Sequence, residues 1–246
     1  VPSVCGFFHI PCIPCNSSAI LAGENKLISN LIAKATGIKI PRTLKEKEKG
    51  GIFRPLNLGS SIGIKREFSN NTKGLYQEFI RGYDITTPIV YNPITKRMDI
   101  MPTVLYISEN NTVDWYLGES NKNSRSGFKR KTIYNLSTEV QAKFLELTQS
   151  MSINTFCRID SRIKCSSPNE IKQLIKNPLQ LQDLYFIEIN PMPTVWINNA
   201  FSHSFTAIQK NDLFYNYIQQ LDNFVPESNL HNFLLSSAMF ALSKAM

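Results

Sequence analysis

The sequence predicts an α+β protein whose sheets are largely antiparallel. One helical pattern is followed by a block of β-rich runs, a long helix, two further strands and a helical tail. Strands that are grouped along a chain in this way, instead of alternating regularly with helices, are typical of the α+β class. A hairpin signal supports the antiparallel pairing, because an Asn-Pro turn joins two β-rich runs, 84–91 and 97–107.

Length and composition indicate a globular protein with a sizeable core. The chain has 246 residues, of which 42% are hydrophobic and 19% charged. No apolar run approaches the roughly 20 residues that a bilayer span needs, so we expect no membrane span. The formal net charge of +8 favours an anionic partner, which could be nucleic acid, a phosphate-bearing small molecule or a membrane surface. The five cysteines are interpreted as reduced thiols of a cytoplasmic protein.

The first part of the chain predicts one helix and then strands. Apolar residues at helical spacing predict a helix over 20–36, which ends at Gly37. The segment 37–44 is predicted to be extended. Three strands are then predicted at 51–56, 61–67 and 74–80.

The second part predicts a long helix between strands. The segment 137–151 has an apolar face at helical spacing, and Thr138 with Gln141 predicts a capping box at its start. Before it, the polar segment 119–131 contains one acid among several bases and has no periodicity, so we expect a mobile basic loop. Four further elements follow in order: a strand at 153–164, a short helix capped by Ser167, a strand at 183–190 and a helical region after Pro193.

Two of the late strands carry polar side chains at alternating positions. Arg158 and Asp160 are two residues apart in one strand, and Glu188 and Asn190 are two apart in the next. If these strands pair, Asp160, Glu188 and Asn190 converge as hard oxygen ligands, which suit Mg²⁺. Either motif alone would be better explained as the polar, outward positions of a half-exposed sheet.

A glycine- and serine-rich turn is the second chemical signal. Residues 53–67 place Ser60 and Ser61 between two glycines, with Arg54 just upstream. Glycine lets backbone N–H groups approach an anion closely, the serines add hydroxyl donors, and Arg54 supplies a positive charge. A plain hairpin turn would explain the glycines but neither Arg54 nor the second serine. We therefore predict a phosphate site.

Several segments, in this order and spacing, resemble motifs of the ATP-grasp ligases, and most closely those of the D-alanine–D-alanine ligases: 53–64, 75–86, 157–160 and 186–194. The resemblance covers about residues 8–205. It implies an ATP-grasp fold, in which two α+β subdomains with largely antiparallel sheets grip ATP between them. The implied domains are the end of a missing N-terminal domain and connector at 1–22, a central subdomain at 23–81, and a catalytic subdomain with a helical extension at 82–246.

The resemblance also implies roles for individual residues. The nucleotide-binding residues of the family are matched by Lys26 and Arg54 at the phosphates, Ser60 and Ser61 in the phosphate-covering loop, Gln77, Glu78, Phe79 and Ile80 at the adenine, and Asp84 at the ribose. The remaining roles fall on Arg158 at the tetrahedral intermediate, Lys122 and Ser60 at the γ-phosphate, Asp160, Glu188 and Asn190 at Mg²⁺, and Thr194 and Ser204 at the second substrate.

Three positions depart from the family pattern. Arg54 stands where the family has a lysine, which replaces a point donor by a planar fork. Gln77 stands in place of a glutamate, and its carbonyl can still accept a hydrogen bond from the adenine amino group. Thr194 stands in place of a glycine, and its Cβ narrows the pocket for the second substrate.

The resemblance implies an ATP- and Mg²⁺-dependent ligase that joins a carboxylate and an amine, such as two amino acids, through an acyl-phosphate, and that forms a homodimer. The departures leave a second interpretation open, a nucleotide-binding protein without ligase activity that serves as an interaction or regulatory module. A nucleic-acid-binding domain ranks last, because only Phe128 and Tyr134 supply aromatic rings near the basic segment. We expect neither nucleic acid nor a membrane as partner.

Overall fold

The computed structural model describes residues 2–8, 10, 12–70, 73–92, 95–124, 126–134, 136–195, 199–209 and 234. Its helices are α1 (Pro2–Phe7), α2 (Ser17–Glu24), α3 (Lys26–Ala35), α4 (Glu119–Ser124), α5 (Thr138–Ser150), α6 (Pro168–Leu174) and α7 (Ala200–Gln209), with a 3-10 turn at Leu181–Asp183. No helix in this part of the chain has the length and apolar character needed to cross a bilayer.

The strands form two antiparallel sheets. They are β1 (Gly51–Pro55), β2 (Gly74–Glu78), β3 (Gly82–Asn92), β4 (Arg97–Ile100), β5 (Thr103–Ser108), β6 (Phe128–Ile133), β7 (Phe156–Lys164) and β8 (Leu184–Asn190). β1 and β2 form a small sheet, and the other six form a large sheet in the order β6-β5-β3-β7-β8, with β4 paired to β3. The predicted α+β class with antiparallel sheets is confirmed, and so is the hairpin of β3 and β4.

The large sheet has an apolar face and a polar face. Side chains alternate across a strand, and Ile85, Leu105 and Ile159 are fully buried in the core on one face. Helix α5 packs Phe144 and Leu147 into the same core. Burying each such side chain stabilises the fold by roughly 1.5–3 kcal/mol. The intervening residues project from the other face, which lines a cleft.

The predicted helix at 20–36 is in fact two helices. Asn25 lies between α2 and α3, and its side-chain oxygen accepts hydrogen bonds from the backbone N–H groups of Leu27 (3.1 Å) and Ile28 (3.2 Å). An asparagine that satisfies these N–H groups begins a new helix, so the apolar spacing alone gave the wrong boundary.

The predicted cap of the long helix is displaced by one residue. Ser137, not Thr138, precedes α5 and accepts a hydrogen bond from Val140 N (3.3 Å). The Gln141 side chain donates to Leu136 O (2.9 Å), so it does not close a capping box.

The predicted strand at 61–67 is absent. Residues 56–70 form most of the connection from β1 to β2, and we call them the serine–glycine loop. Ser60, Ser61 and Gly63 have φ of 55°, 63° and 71°, which a strand cannot accommodate. Only Lys65 forms a single bridge, with Phe53. The glycine-rich turn therefore lies inside a long loop and does not join two strands directly.

The segment 119–131 is not a loop. It contains α4 and the first part of β6, and the side chains of β6 alternate between partly buried and exposed positions up to Thr132. This alternation is a strand signal that the high charge of Lys129 and Lys131 obscured. The helical region predicted after Pro193 is present as α7, and its continuation beyond Gln209 lies outside the described residues, apart from Leu234.

Candidate functional site

A cleft of about 360 Å³ lies between the small sheet and the polar face of the large sheet. It is lined by every predicted nucleotide-binding residue and every predicted metal ligand, together with Arg158 and Thr194. Residues that are far apart in the sequence are thus brought to one place by the pairing of β7 with β8 and by the fold of the small sheet over them.

The predicted metal ligands lie on one face of two paired strands. Asp160 is the register partner of Glu188, and Arg158 is the partner of Asn190. Partners in an antiparallel pair project to the same side, so the pairing on which the metal prediction depends is present. Asp160 accepts two hydrogen bonds from Arg158 (2.9 and 2.8 Å) and one from Thr86 Oγ1 (2.7 Å).

The chemistry of this donor set fits Mg²⁺. Asp160, Glu188 and Asn190 offer two carboxylates and one amide oxygen, all of them hard ligands. Among the residues described, no group of three His, Cys, Asp or Glu side chains is placed to hold a metal by itself. Mg²⁺ binds through one or two carboxylates and takes its other ligands from phosphates and water, so a set of this size suits it.

Two buried cations meet at Glu188. Lys26 Nζ lies 3.7 Å and Arg54 Nη2 lies 3.6 Å from Glu188 Oε2. Lys26 also donates to Leu58 O in the serine–glycine loop (2.6 Å), and Arg54 donates to Ile187 O (2.6 Å). Burial lowers the pKa of the Arg54 guanidinium, and the neighbouring Glu188 carboxylate partly offsets this. The two cations and the oxygen patch therefore share one small volume.

The two departures at positions 54 and 77 contact each other. Gln77 is buried, its Nε2 donates to Pro41 O (3.0 Å), and its Oε1 accepts from Arg54 Nη1 (3.3 Å). The carbonyl that the sequence assigned to adenine is thus already engaged by Arg54. Arg54 and Gln77 therefore form one hydrogen-bonded pair of a guanidinium donor and an amide acceptor.

Arg162 is a site residue that the sequence reasoning missed. It is only 4% exposed, and its guanidinium donates to Ile80 O (2.6 Å), Asp84 Oδ1 (2.7 Å), Gly82 O (2.8 Å) and Trp115 O (2.8 Å). These bonds tie the predicted adenine segment to the predicted ribose acid. A signal was available, since Arg162 continues the alternation of Arg158 and Asp160 on the same strand.

Asp84 is held from two sides. Besides the bond from Arg162, its Oδ2 accepts a hydrogen bond from Leu117 N (2.7 Å). Ser61 Oγ donates to the backbone oxygen of the same Leu117 (2.9 Å), so the serine–glycine loop is connected to the segment that Asp84 holds.

The predicted residues for the second substrate separate in the structure. Thr194 lines the cleft, but Ser204 is fully buried inside α7 and its hydroxyl donates to Pro102 O (2.7 Å). The prediction for Ser204 is therefore not supported, because the serine lies one turn into the helix and faces the sheet. Asn199 lines the cleft instead and caps α7 by accepting from Ser202 N (3.0 Å).

Lys122 and Arg158 are the other two residues that the sequence predicts to be catalytic. Lys122 belongs to α4, and its side chain lies outside the described residues, so its role stays a prediction. Arg158 is cationic by its surroundings, because burial alone would lower its pKa but the adjacent Asp160 carboxylate raises that pKa overall. Tyr106, which the sequence reasoning missed, also lines the cleft, and burial raises its pKa.

The fold is similar to that of solved amino-acid ligases. The D-alanine–D-alanine ligase from Bacillus anthracis complexed with ATP matches with a TM-score of 0.62 and 14% identity, over 100% of this chain and 76% of that chain. A D-Ala:D-Ser ligase from Enterococcus faecalis matches with a TM-score of 0.53 and 15% identity, over 78% and 60%. An L-amino acid ligase from Bacillus licheniformis matches with a TM-score of 0.50 and 13% identity, over 82% and 47%.

These likenesses confirm the predicted fold. The described part of the chain has the ATP-grasp fold, as the D-alanine–D-alanine ligases that it matches do. No protein-family model matches the sequence, and no curated protein matches it either.

Proposed function

We propose that this chain is an ATP- and Mg²⁺-dependent carboxylate–amine ligase, which joins two amino acids through an acyl-phosphate as the sequence resemblance implies. The observation that carries the proposal is the grouping of Asp160, Glu188 and Asn190 beside Lys26 and Arg54 in one cleft. Hard oxygen donors next to paired cations suit a divalent ion and a polyphosphate together, whereas either group alone would have a structural explanation.

The nucleotide is proposed to lie along the cleft. Its base would rest at residues 77–80, its ribose at Asp84, and its phosphates at Lys26 and Arg54. The serine–glycine loop would support the phosphate end, because Ser60 and Ser61 line the cleft and the backbone N–H groups of a turn can bind an anion. The ATP complex of the Bacillus anthracis ligase, which shares the fold, makes ATP the nucleotide to test first.

The metal ion is proposed to be held by Asp160, Glu188 and Asn190. When bound, Mg²⁺ supplies positive charge to the phosphate oxygens and so lowers the barrier to phosphoryl transfer. Lys26 and Arg54, which lie 3.7 Å and 3.6 Å from Glu188, would contact the phosphates beside such an ion.

The proposed ligation has two steps. A carboxylate oxygen of the first substrate attacks the γ-phosphorus of ATP, and the bond to the β–γ bridging oxygen breaks to release ADP. The amine of the second substrate then attacks the acyl carbon, inorganic phosphate leaves with its bonding electron pair, and the ammonium proton is lost to phosphate or water. Arg158 would stabilise the oxyanion of this second step, held in place by its two bonds to Asp160.

Exclusion of water is proposed to be the task of the serine–glycine loop. The hydrogen bond from Ser61 to Leu117 O draws this loop across the cleft. An acyl-phosphate that is shielded in this way meets the amine before it meets water.

The first test is ADP release from Mg–ATP in the presence of amino-acid mixtures. Glu188→Gln removes one charged donor of the metal set, so we expect turnover to fall by about a hundredfold or more. Glu146→Gln is the matched control, because Glu146 pairs with Lys143 on the outer side of α5. It should leave turnover unchanged. Equal turnover by wild type and Glu188→Gln would contradict the assignment.

A second candidate function is favoured by the hydrogen bond between Arg54 and Gln77. Both side chains are predicted to face the nucleotide, and each is already engaged by the other. A protein that binds nucleotide without turnover would tolerate this arrangement. Tight binding of Mg–ATP without ADP release, whatever amine or carboxylate is added, would favour this candidate over the ligase.

A further inference from the structure

Arg130 is a cation of the cleft that the resemblance does not use. It lies on β6 as the register partner of Tyr106 in β5, it is partly buried, and it lines the cleft. Its guanidinium carbon lies 4.7 Å from the centre of the Phe128 ring and 5.7 Å from that of Tyr106. Contacts of this kind orient a guanidinium and stabilise it weakly. The two rings therefore hold Arg130 in place without neutralising it.

The other basic side chains that line the described cleft each lie close to a carboxylate. The distances are 3.7 Å for Lys26 and 3.6 Å for Arg54 to Glu188, 2.8 Å for Arg158 to Asp160 and 2.7 Å for Arg162 to Asp84. Arg130 differs from all of them. Within the described residues it has no ion pair and no hydrogen bond, and its Nε, like that of Arg54, is buried without a partner.

A partly buried guanidinium without an acceptor lacks the partner that would compensate for its lost water. Removing a charged donor from water is unfavourable unless an acceptor replaces the lost water, and the aromatic rings replace only part of it. The nearby His203 in α7 does not compensate: burial lowers its pKa, and the charge of Arg130 lowers it further. An anionic group from outside the described residues would accept the hydrogen bonds of Arg130 and balance its charge.

Arg130 is separate from the cations at Glu188. In the large sheet β6 and β8 are the two ends of the order β6-β5-β3-β7-β8. Four strand spacings of about 4.8 Å place their axes roughly 19 Å apart. An anion at Arg130 is thus a different group from the one that would lie between Lys26 and Arg54.

We propose that Arg130 forms a second anion subsite of the cleft, which binds a carboxylate or phosphate group of a substrate through its guanidinium fork. The inference rests on the proposed function for the nature of the substrates, since an amino acid brings a carboxylate and a nucleotide brings phosphates. The fork geometry suits either group, because both present two oxygens to parallel N–H donors. Arg130 would then determine which substrates fit this end of the cleft.

The experiment compares wild type, Arg130→Gln and Lys131→Gln by calorimetric titration. Lys131 is the control, because it is an exposed lysine next to Arg130 on the same strand. Two pairs of probes are used: Mg–ATP against adenosine, and alanine against alaninamide with Mg–ADP present. In each pair only the first member carries the anionic group in question.

We expect Arg130→Gln to weaken the binding of one anionic probe by about tenfold to a hundredfold, as the loss of a charged hydrogen bond does. The uncharged member of that pair should bind as before, and Lys131→Gln should bind all four probes as wild type does. A loss confined to Mg–ATP identifies the group as phosphate, and a loss confined to alanine identifies it as carboxylate. Arg130→Lys should recover part of the lost affinity.

Two results would overturn the subsite. In one, Arg130→Gln binds all four probes as wild type does. In the other, the uncharged probes lose as much affinity as the charged ones, which is the behaviour of a purely structural residue. The ligase proposal fails separately, through absent ADP release, because these titrations measure binding and need no turnover.

Discussion

At the scale of single residues, buried arginines of this protein hold carboxylates and backbone oxygens in place. Arg162 is the clearest case, since it uses four donor contacts to hold two backbone turns, the segment at Trp115 and the Asp84 carboxylate. Phe79 adds a ring 4.8 Å from its guanidinium carbon. A lysine has one compact charge and no fork, so it could not replace these contacts.

Removal of Arg162 should therefore be costly. Among the described residues, Arg162→Gln leaves the partly buried Asp84 with the Leu117 N–H as its one hydrogen-bond donor, and we expect the free energy of unfolding to fall by about 3–5 kcal/mol. The matched control is Arg81→Gln. Arg81 pairs with Asp114, but the two side chains are 57% and 55% exposed, so its loss should change stability by no more than about 1 kcal/mol.

Urea denaturation of the two variants measures this difference. Titration with Mg–ATP adds a second reading, because Arg162 joins the proposed adenine and ribose positions and its loss should weaken nucleotide binding in whatever protein remains folded. Equal unfolding free energies for the two variants would show that Arg162 contributes no more than a surface arginine.

At the scale of elements, the boundaries depend on side chains that satisfy helix ends. Asn25 divides one predicted helix into two, and Ser137 begins α5 one residue earlier than the capping-box pattern indicated. Ser167 precedes α6 in the same way but makes no side-chain cap hydrogen bond. The two serines therefore offer a comparison in which only one of them caps.

Ser137→Ala should lower the free energy of unfolding by about 1 kcal/mol, because Val140 N loses its acceptor at the start of a core helix. Ser167→Ala should have less than half that effect. Chemical denaturation of both variants in the same buffer checks the prediction. A larger loss in Ser167→Ala than in Ser137→Ala would contradict the assigned caps.

The whole molecule separates its thiols into two classes. Cys5 and Cys12 are partly exposed, whereas Cys15, Cys157 and Cys165 are buried. Burial raises the pKa of Cys15 to about 12 and that of Cys165 to about 12, and it raises the pKa of Cys157 as well. In the native state the buried thiols are thus both shielded and protonated at neutral pH.

A thiol reagent at pH 8 should modify Cys5 and Cys12 in the native state, with Cys12 the slower because burial and the neighbouring Cys5 raise its pKa, and the three buried cysteines only after unfolding. Labelling in the presence and absence of urea, followed by peptide mass analysis, distinguishes the two classes. Fast native labelling of Cys157 would mean that the core on this side of the sheet opens readily.

The same groups predict a pH dependence. Their folded pKa lies above the ordinary value of 9.0, so their contribution to stability is complete below about pH 9 and is lost as the pH rises toward about 12. The urea midpoint of wild type should fall between pH 8 and pH 10. The fall should be smaller in Cys157→Ala, and an equal fall would assign the effect to other groups.

Sequence reasoning succeeded where the signal is local or periodic. Alternation in β7 and β8 placed Asp160 and Glu188 on a common face, and the β-rich runs with their Asn-Pro turn predicted the hairpin. Sequence reasoning failed where one local pattern, such as high charge or alternation, hid a different backbone structure. The charge of 119–131 concealed β6, and the alternating pattern of 61–67 concealed a turn with left-handed backbone.

By itself the sequence determined the α+β class, the pairing face of the late strands and the residue types that line the cleft, because repeats of two residues and short motifs act over neighbouring positions. Only the tertiary structure decided which charges meet. Arg54 and Lys26 share Glu188, Arg162 neutralises Asp84, and Arg130 is left without a carboxylate among the described residues. Coulomb and hydrogen-bond energies depend on distances in space, and these distances join residues that the chain keeps far apart.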